Sequence, residues 1–326
     1  MEKILSVSVA CYNLGDMILK NLKSFCESDV ADLVEVIVTD DGSKDNTPDI
    51  VEEYAKQYPN TIKLIRKENG GPGSTVNSGI KNATGKYFRM VDGDDWVNTQ
   101  NLNEFVKFLQ TCDSDMVVAD YELVDQKSQE VVEKKTFNLP PKEQLNFDSV
   151  FKDVPNEMHA ITFKTEIFQN NNITLDNGFY TDVEYALFPI KYVKTVSYFN
   201  KTIYEYLVGQ AGQSVNVNSM IRNLPQHDIV LKRMTKFYED SKEELTQEQK
   251  KFLLNRLSGL ANTQLWVLLN LEISKENKRK VKEFFKSVKS LSPDVYNVFK
   301  KSKRCRALRY SGFLLYGFVC KRFRSK

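Results

Sequence analysis

Asp92-Gly93-Asp94-Asp95 follows directly on the apolar run Tyr87-Phe88-Arg89-Met90-Val91, and no other feature constrains the chain as much. Three carboxylates crowd a loop at the end of a segment that reads as a buried strand. Like charges that close repel, so the loop requires a compensating cation or unusual solvation. Oxygen ligands at this density suit a hard divalent ion, Mg²⁺ or Mn²⁺, with substrate phosphates as further ligands. The plain alternative is a solvated acidic turn, since Asp and Gly are ordinary turn residues. An upstream segment repeats the pattern: the β-branched run Val34-Glu35-Val36-Ile37-Val38-Thr39 ends in Asp40-Asp41-Gly42-Ser43. A first strand over residues 4–11 ends in Tyr12-Asn13. Ligands of open α/β sheets bind outside the carboxyl ends of the strands. Three strand ends are therefore expected to bring an aromatic ring, an amide and several carboxylates to one crevice.

At 326 residues the chain exceeds one typical domain, so a main domain with an appendage is expected. Its 27% charged residues are ordinary for a globular protein and argue against wholesale disorder. Five cysteines, Cys11, Cys26, Cys112, Cys305 and Cys320, show no zinc or redox spacing, which fits a reducing cytoplasm. The chain enters a strand almost at once, so no signal peptide is expected. No apolar run reaches the roughly 18 residues of a spanning helix.

The first 120 residues alternate strand-like and helix-like patterns, which predicts a mostly parallel sheet with helices on both faces. Thr47 is expected to cap a helix with Pro48 at its first position. Asn69-Gly70-Gly71-Pro72-Gly73-Ser74 reads as a flexible loop opening a helix towards Asn82. Residues 121–141 are polar and weakly patterned, as in a hairpin. Residues 195–199 and 202–207 read as two final strands. Past Leu224 the pattern changes to long amphipathic helices, so the division expected is 1–224 and 225–326.

Taken together, Tyr12-Asn13, Asp40-Asp41-Gly42-Ser43, the segment 69–79 and Asp92-Gly93-Asp94-Asp95, in this order and spacing, resemble glycosyltransferase family 2 over about residues 4–215. The resemblance implies a GT-A fold and transfer of a sugar from a nucleotide diphosphate donor, UDP being the favoured nucleotide, to an acceptor hydroxyl with inversion. It implies that Tyr12, Asn13, Asp41, Asn77, Asp92 and Asp94 meet the donor, and that Asp94 and Asp95 hold Mg²⁺ or Mn²⁺. The general base falls in Phe179-Tyr180-Thr181-Asp182-Val183-Glu184, with Asp182 preferred and Glu184 left open. Asp182 could also serve only as a helix cap. Val76 stands where many relatives carry Arg, so donor phosphate contacts are expected elsewhere, from Gln213 and Ser214 in the loop after Tyr206. His159 lies in the acceptor-side segment, where a structural role is the commoner one.

Residues 300–326 hold ten Lys or Arg and no acid, whereas the whole chain is only +3. A basic, aromatic tail on a net acidic remainder suits an anionic membrane surface; packing on the body is the alternative, and nucleic acid is disfavoured. The reading is a cytoplasmic transferase, peripheral at the inner face of the membrane, acting on a lipid-linked saccharide in surface polysaccharide assembly. It leaves a homo-oligomer open. A sugar nucleotidyltransferase and a non-catalytic donor-binding partner are the other classes considered.

Overall fold

The computed structural model describes residues 2–209 and 216–324. The chain divides into two compact units, Met1–Gln210 and Ala211–Lys326. The first unit is built on a ten-stranded sheet. Its strands are β1 (Leu5–Cys11), β2 (Val34–Asp40), β3 (Ile62–Arg66), β4 (Tyr87–Asp92), β5 (Trp96–Val97), β6 (Met116–Asp125), β7 (Val131–Lys135), β8 (Gln144–Asn146), β9 (Ile161–Lys164) and β10 (Thr195–Val208). Its helices are α1 (Ile18–Cys26), α2 (Thr47–Gln57), α3 (Pro72–Asn82), α4 (Thr99–Thr111), α5 (Phe147–Val150), α6 (Thr165–Asn170) and α7 (Thr181–Leu187).

The strand order is β3-β2-β1-β4-β9-β6-β10-β5, with β7 on β6 and β8 on β10. β1, β2, β3 and β4 are mutually parallel, and β9 runs antiparallel between β4 and β6. Val7, Val9, Val36, Ile37 and Val38 have no exposed surface, as strands covered on both faces require. Chain direction reverses its order at β1, between β2 and β4, which is where such sheets open a crevice.

Three expectations change. Residues 195–208 form one strand, because irregularities between Phe199 and Tyr204 absorb the polar Asn200-Lys201 pair without breaking the pairing with β6. Thr47 does not cap α2. Its hydroxyl donates to Asp45 Oδ1 (2.5 Å) and accepts from the N–H groups of Leu14 (2.9 Å) and Gly15 (2.8 Å), so it fixes the turn after β1. The glycine loop before α3 is closely held rather than flexible. Gly71 is left-handed at φ +87°, and a Cβ on Gly73 would fall 1.6 Å from the carbonyl oxygen of Asp176.

The second unit is helical: α8 (Val217–Arg222), α9 (Leu224–Ser241), α10 (Gln247–Asn270), α11 (Lys275–Leu291), α12 (Pro293–Phe299), α13 (Lys303–Tyr310) and α14 (Tyr316–Phe323). The helical unit begins at Ala211, ahead of the division expected after residue 224, and α8 already belongs to it. Helix α10 is central and packs on α8, α9, α11, α12 and α14. It starts with a reciprocal cap: Thr246 Oγ1 accepts from Gln249 N–H (3.1 Å), and Gln249 Oε1 accepts from Thr246 N–H (2.9 Å). Its buried Leu253, Leu257, Ala261 and Leu265 follow the helical period. Among the described residues, no helix is long and apolar enough to cross a membrane.

Two glycines should respond oppositely to alanine. Gly73→Ala should destabilise by about 1–3 kcal/mol or more, because the added methyl meets backbone. Gly259, exposed in α10 with nothing within 4 Å of its missing Cβ, should gain about 1 kcal/mol as Gly259→Ala. Denaturant melts of the two variants check both signs.

Candidate active site

Ala10 pairs with Asp92 and Cys11 with Asp40, so β1, β2 and β4 end level and their carboxylates share one edge. At the β2 side, Asp41 is almost wholly buried. Its Oδ1 accepts from Lys67 Nζ (2.6 Å) and Gly70 N–H (2.9 Å), and its Oδ2 accepts from Gly71 N–H (2.8 Å). Burial alone would raise this carboxyl, but the Lys67 ammonium and the two backbone donors outweigh it and hold Asp41 below the usual carboxylate range. Asp41 thus holds Lys67, which lines the neighbouring cavity, and does not line that cavity itself.

That cavity, of about 520 Å³, is lined by Tyr12, Gly42, Lys44, Arg66, Lys67, Glu68 and Asn69. The Tyr12 ring is 49% exposed at its wall. Asn13, left-handed at φ +53°, accepts from Lys44 N–H through Oδ1 (2.8 Å) and donates its own N–H to Ser43 Oγ (2.9 Å). It shapes the cavity by tying β1 to the turn after β2.

The acidic loop is pinned from both sides. Buried Asn21 of α1 donates through Nδ2 to the carbonyls of Asp92 (3.2 Å) and Asp95 (2.9 Å). A Cβ on Gly93 would fall 2.7 Å from Ala10 O, so only glycine lets the loop lie this close to β1. The Asp95 carboxylate, 1% exposed, accepts from the Tyr204 hydroxyl (2.5 Å) and from Leu207 N–H (2.8 Å). The same hydroxyl accepts from Asp92 N–H (3.2 Å). Asp95, expected to hold the ion together with Asp94, thus already accepts one hydrogen bond from β10 on each oxygen. Asp92 and Asp94 are the half-buried carboxylates of the loop. Among the described residues, no group of three or more His, Cys, Asp or Glu is disposed to hold a metal ion. A carboxylate pair nevertheless fits an ion that takes its other ligands from water and phosphate.

Asp182 approaches this loop from the first turn of α7. Burial first, and then the carboxylates of Asp94 and Asp182, push Asp92 up to about 7. Asp182 itself opens to solvent. The protein mass around it raises its carboxyl, and the backbone N–H groups of Val183 and Asp182 draw it back. It is not the helix cap, because Tyr180 holds that position and no side chain caps α7. Glu184 is fully buried and accepts from Asp176 N–H (2.5 Å). Of the two acids left open by the sequence, only Asp182 faces the cleft's solvent.

Asn77, expected to meet the donor, is held by backbone of the same unit. Its Nδ2 donates to Leu175 O (2.9 Å) and its Oδ1 accepts from Leu175 N–H (2.8 Å), which clamps α3 to the segment leading into α7. Gln213 and Ser214 lie outside the described residues.

Sequence reasoning missed the layer beneath the acids. Tyr204 and Tyr206 sit two apart on β10. Tyr206 stacks on His159 at 4.4 Å, and Tyr204 meets the same ring edge-on at 4.8 Å. Burial, then Asp95, Asp92, Asp94 and Asp182, push the Tyr206 hydroxyl up to about 12, so this ring borders the acidic cluster. Arg89, wholly buried, donates to Thr162 Oγ1 (2.8 Å) and to the His159 carbonyl. Burial, helped by Arg89, drives His159 down to about 4, so it is neutral at physiological pH and serves as a packing ring. The i, i+2 aromatic pair near the end of the last strand is the signal that could have revealed this layer.

A mostly parallel sheet with carboxylates at its crossover edge and an acid opposite defines the GT-A class of α/β protein. The chain belongs to glycosyltransferase family 2, whose family model matches residues 6–170. It is 36% identical over 116 residues to the putative glycosyltransferase EpsH of Bacillus subtilis, covering 36% of this chain and 33% of that protein. It is 27% identical over 219 residues to the poly(ribitol-phosphate) beta-glucosyltransferase of Bacillus spizizenii, covering 65% of this chain and 33% of that one. The chain thus matches a minor part of each relative's length. Among solved structures, residues 1–349 of S. aureus TarS in complex with UDP match with a TM-score of 0.71 at 20% identity, covering 98% of this chain and 91% of that chain.

A carboxyl whose pKa is higher folded than unfolded keeps its proton where the unfolded chain has lost it. Its contribution to stability is therefore present at low pH and lost as pH rises through the folded value. With chelator present, wild type should lose melting temperature relative to Asp92→Asn between about pH 4 and about pH 7. Parallel curves for the two proteins would contradict the crowding of Asp92 by Asp94 and Asp182.

Proposed function

We propose that this chain is a metal-dependent inverting glycosyltransferase that moves a sugar from a UDP-sugar to an acceptor hydroxyl. The observation that carries the reading is the approach of Asp182 on α7 to the Asp92–Asp94 pair on the loop after β4, with the Tyr12-lined cavity at the neighbouring strand ends. The structural likeness to UDP-bound TarS supports the choice of nucleotide. In this reading the Tyr12 ring packs on the base, and Asp41 fixes Lys67 at the wall of the cavity that takes the nucleoside.

Asp92 and Asp94 would hold Mg²⁺ or Mn²⁺, which when bound supplies Lewis-acid stabilisation of the departing diphosphate. Asp182 takes the proton from the acceptor hydroxyl as its oxygen bonds to the anomeric carbon. The bond from that carbon to the diphosphate oxygen breaks on the opposite face, which inverts the centre. A carboxyl raised by its surroundings is a stronger base than an ordinary Asp. The acceptor we favour is a lipid-linked saccharide in surface polysaccharide assembly, met at the inner face of the membrane. The B. spizizenii relative, a poly(ribitol-phosphate) beta-glucosyltransferase, lends support to a cell-surface polymer as the product class.

Asp182→Asn keeps the shape but cannot take a proton at neutral pH. Transfer should fall about 10²–10⁴-fold, with donor affinity nearly unchanged. Near-normal transfer in Asp182→Asn beside lost transfer in a folded Glu184→Gln would exchange the roles.

Asp94→Ala should abolish the part of UDP binding that depends on Mn²⁺ while the melting curve stays cooperative. Calorimetry with and without the ion reads this directly; unchanged ion-dependent affinity removes the assignment.

A further inference from the structure

The tail is a helical hairpin with two unlike faces. On its inner face Cys305 and Leu308 of α13, with Tyr316, Val319 and Cys320 of α14, are buried. On its outer face Tyr310 and Leu314 are each 83% exposed, Phe318 is 64% and Leu315 48%. Soluble proteins seldom leave large apolar side chains this open in one short segment without a partner for them.

The turn between the helices is built to produce this face. Gly312 (φ +56°) and Phe313 (φ +64°) are left-handed in succession, a conformation that a bulky residue rarely adopts. It is locked by Phe313 N–H donating to Leu308 O (2.7 Å), Leu314 N–H to Ser311 O (2.9 Å), and Ser311 Oγ to Ala307 O (2.8 Å). The Phe313 ring turns inward to meet Phe285 edge-on at 5.3 Å, while Leu314 and Leu315 are sent outward. Phe323 is half-buried beneath Arg304 at 5.4 Å. The exposed set is therefore Tyr310, Leu314, Leu315 and Phe318, and Phe313 and Phe323 are not part of it.

Arg306, Lys321, Arg322 and Arg324 are exposed on the same hairpin, and residues 300–326 contain no Asp or Glu. Aliphatic and aromatic side chains framed by cations match the boundary between lipid headgroups and acyl chains. An acidic protein would satisfy the charges but offer little to two open leucines and a phenylalanine.

We infer that the α13–α14 hairpin docks on an anionic bilayer, with the 310–318 turn inserted at the headgroup boundary and the flanking Lys and Arg on the phosphates. The inference deepens the proposed transferase reading by supplying the surface that would meet a lipid-linked acceptor. The electrostatic part is screened by salt and the apolar part is not. Deleting the hairpin would be a poor test, because its inner face belongs to the helical core.

The full chain is instead sedimented with vesicles of phosphatidylcholine plus phosphatidylglycerol, and with phosphatidylcholine alone. Wild type should pellet with the anionic vesicles at low salt and be weakened, not freed, at high salt. The triple variant Leu314→Ser, Leu315→Ser, Phe318→Ser should bind at least tenfold more weakly with an unchanged melting temperature. Lys321→Gln with Arg322→Gln should lose much of the low-salt binding. A wild type that ignores anionic vesicles at low salt overturns the inference. So does a triple variant that pellets normally, or one whose only change, by sedimentation velocity, is dissociation of an oligomer, since a second copy then covers the face. UDP-sugar hydrolysis without lipid should be unchanged in the triple variant. Absent ion-dependent UDP binding in wild type would sink the transferase reading while leaving the vesicle result standing.

Discussion

The buried carboxylate of Asp95 joins the two halves of the candidate site's edge. It takes one hydrogen from the Tyr204 hydroxyl and another from Leu207 N–H, and Tyr204 in turn accepts from Asp92 N–H. A carboxylate so far from water survives only when donors meet its lone pairs. Burial, and then Asp92 and Asp94, raise its pKa well above the ordinary range, and these two donors work against that rise. The consequence is mechanical as much as electrostatic. The loop carrying Asp92 and Asp94 is tied to the last strand of the sheet, so the pair faces Asp182 at a defined place.

The same device recurs at the end of β2. Asp41 accepts from Lys67 and from the N–H groups of Gly70 and Gly71, and so ties the glycine loop to the end of β2. Asn77 then clamps α3 to Leu175, and Glu184 holds Asp176 N–H, so the segment before Asp182 is fixed from both sides. The β4 loop therefore contains two kinds of acid: Asp95 is buried and organises backbone, while Asp92 and Asp94 are half-buried at the edge, where a ligand can meet them. At the end of β2 both Asp40 and Asp41 are buried. Proteins commonly place the reacting groups of a site on elements whose own hydrogen bonds are already satisfied, because a loose support costs catalytic geometry.

The helical unit divides its labour by face in a similar way. The stretch of residues 310–320 has to satisfy both a core and a surface, and the left-handed pair Gly312-Phe313 is what separates them. Packing and surface display, set against each other as alternatives for the basic tail, are both present in one hairpin.

The order of amino acids determined the sheet class and the edge on which the site lies. β-branched runs ending in acidic turns are local signals, and parallel strands covered on both faces put those turns at one end. It also singled out the crowded acids Asp92, Asp94 and Asp95, because a carboxylate cluster after an apolar run can be read without knowing its neighbours, whereas Asp182 came from the resemblance to the family. Which acid is spent and which remains was decided only by tertiary structure. The donors that consume Asp95 come from Tyr204 and Leu207, 109 and 112 positions further along the chain. The amide of Asn77 meets Leu175 across 98 positions. Nothing in the spacing of a motif reveals partners so distant. A carboxylate's chemistry depends on its burial and its hydrogen bonds, and those exist only once the sheet has closed around it.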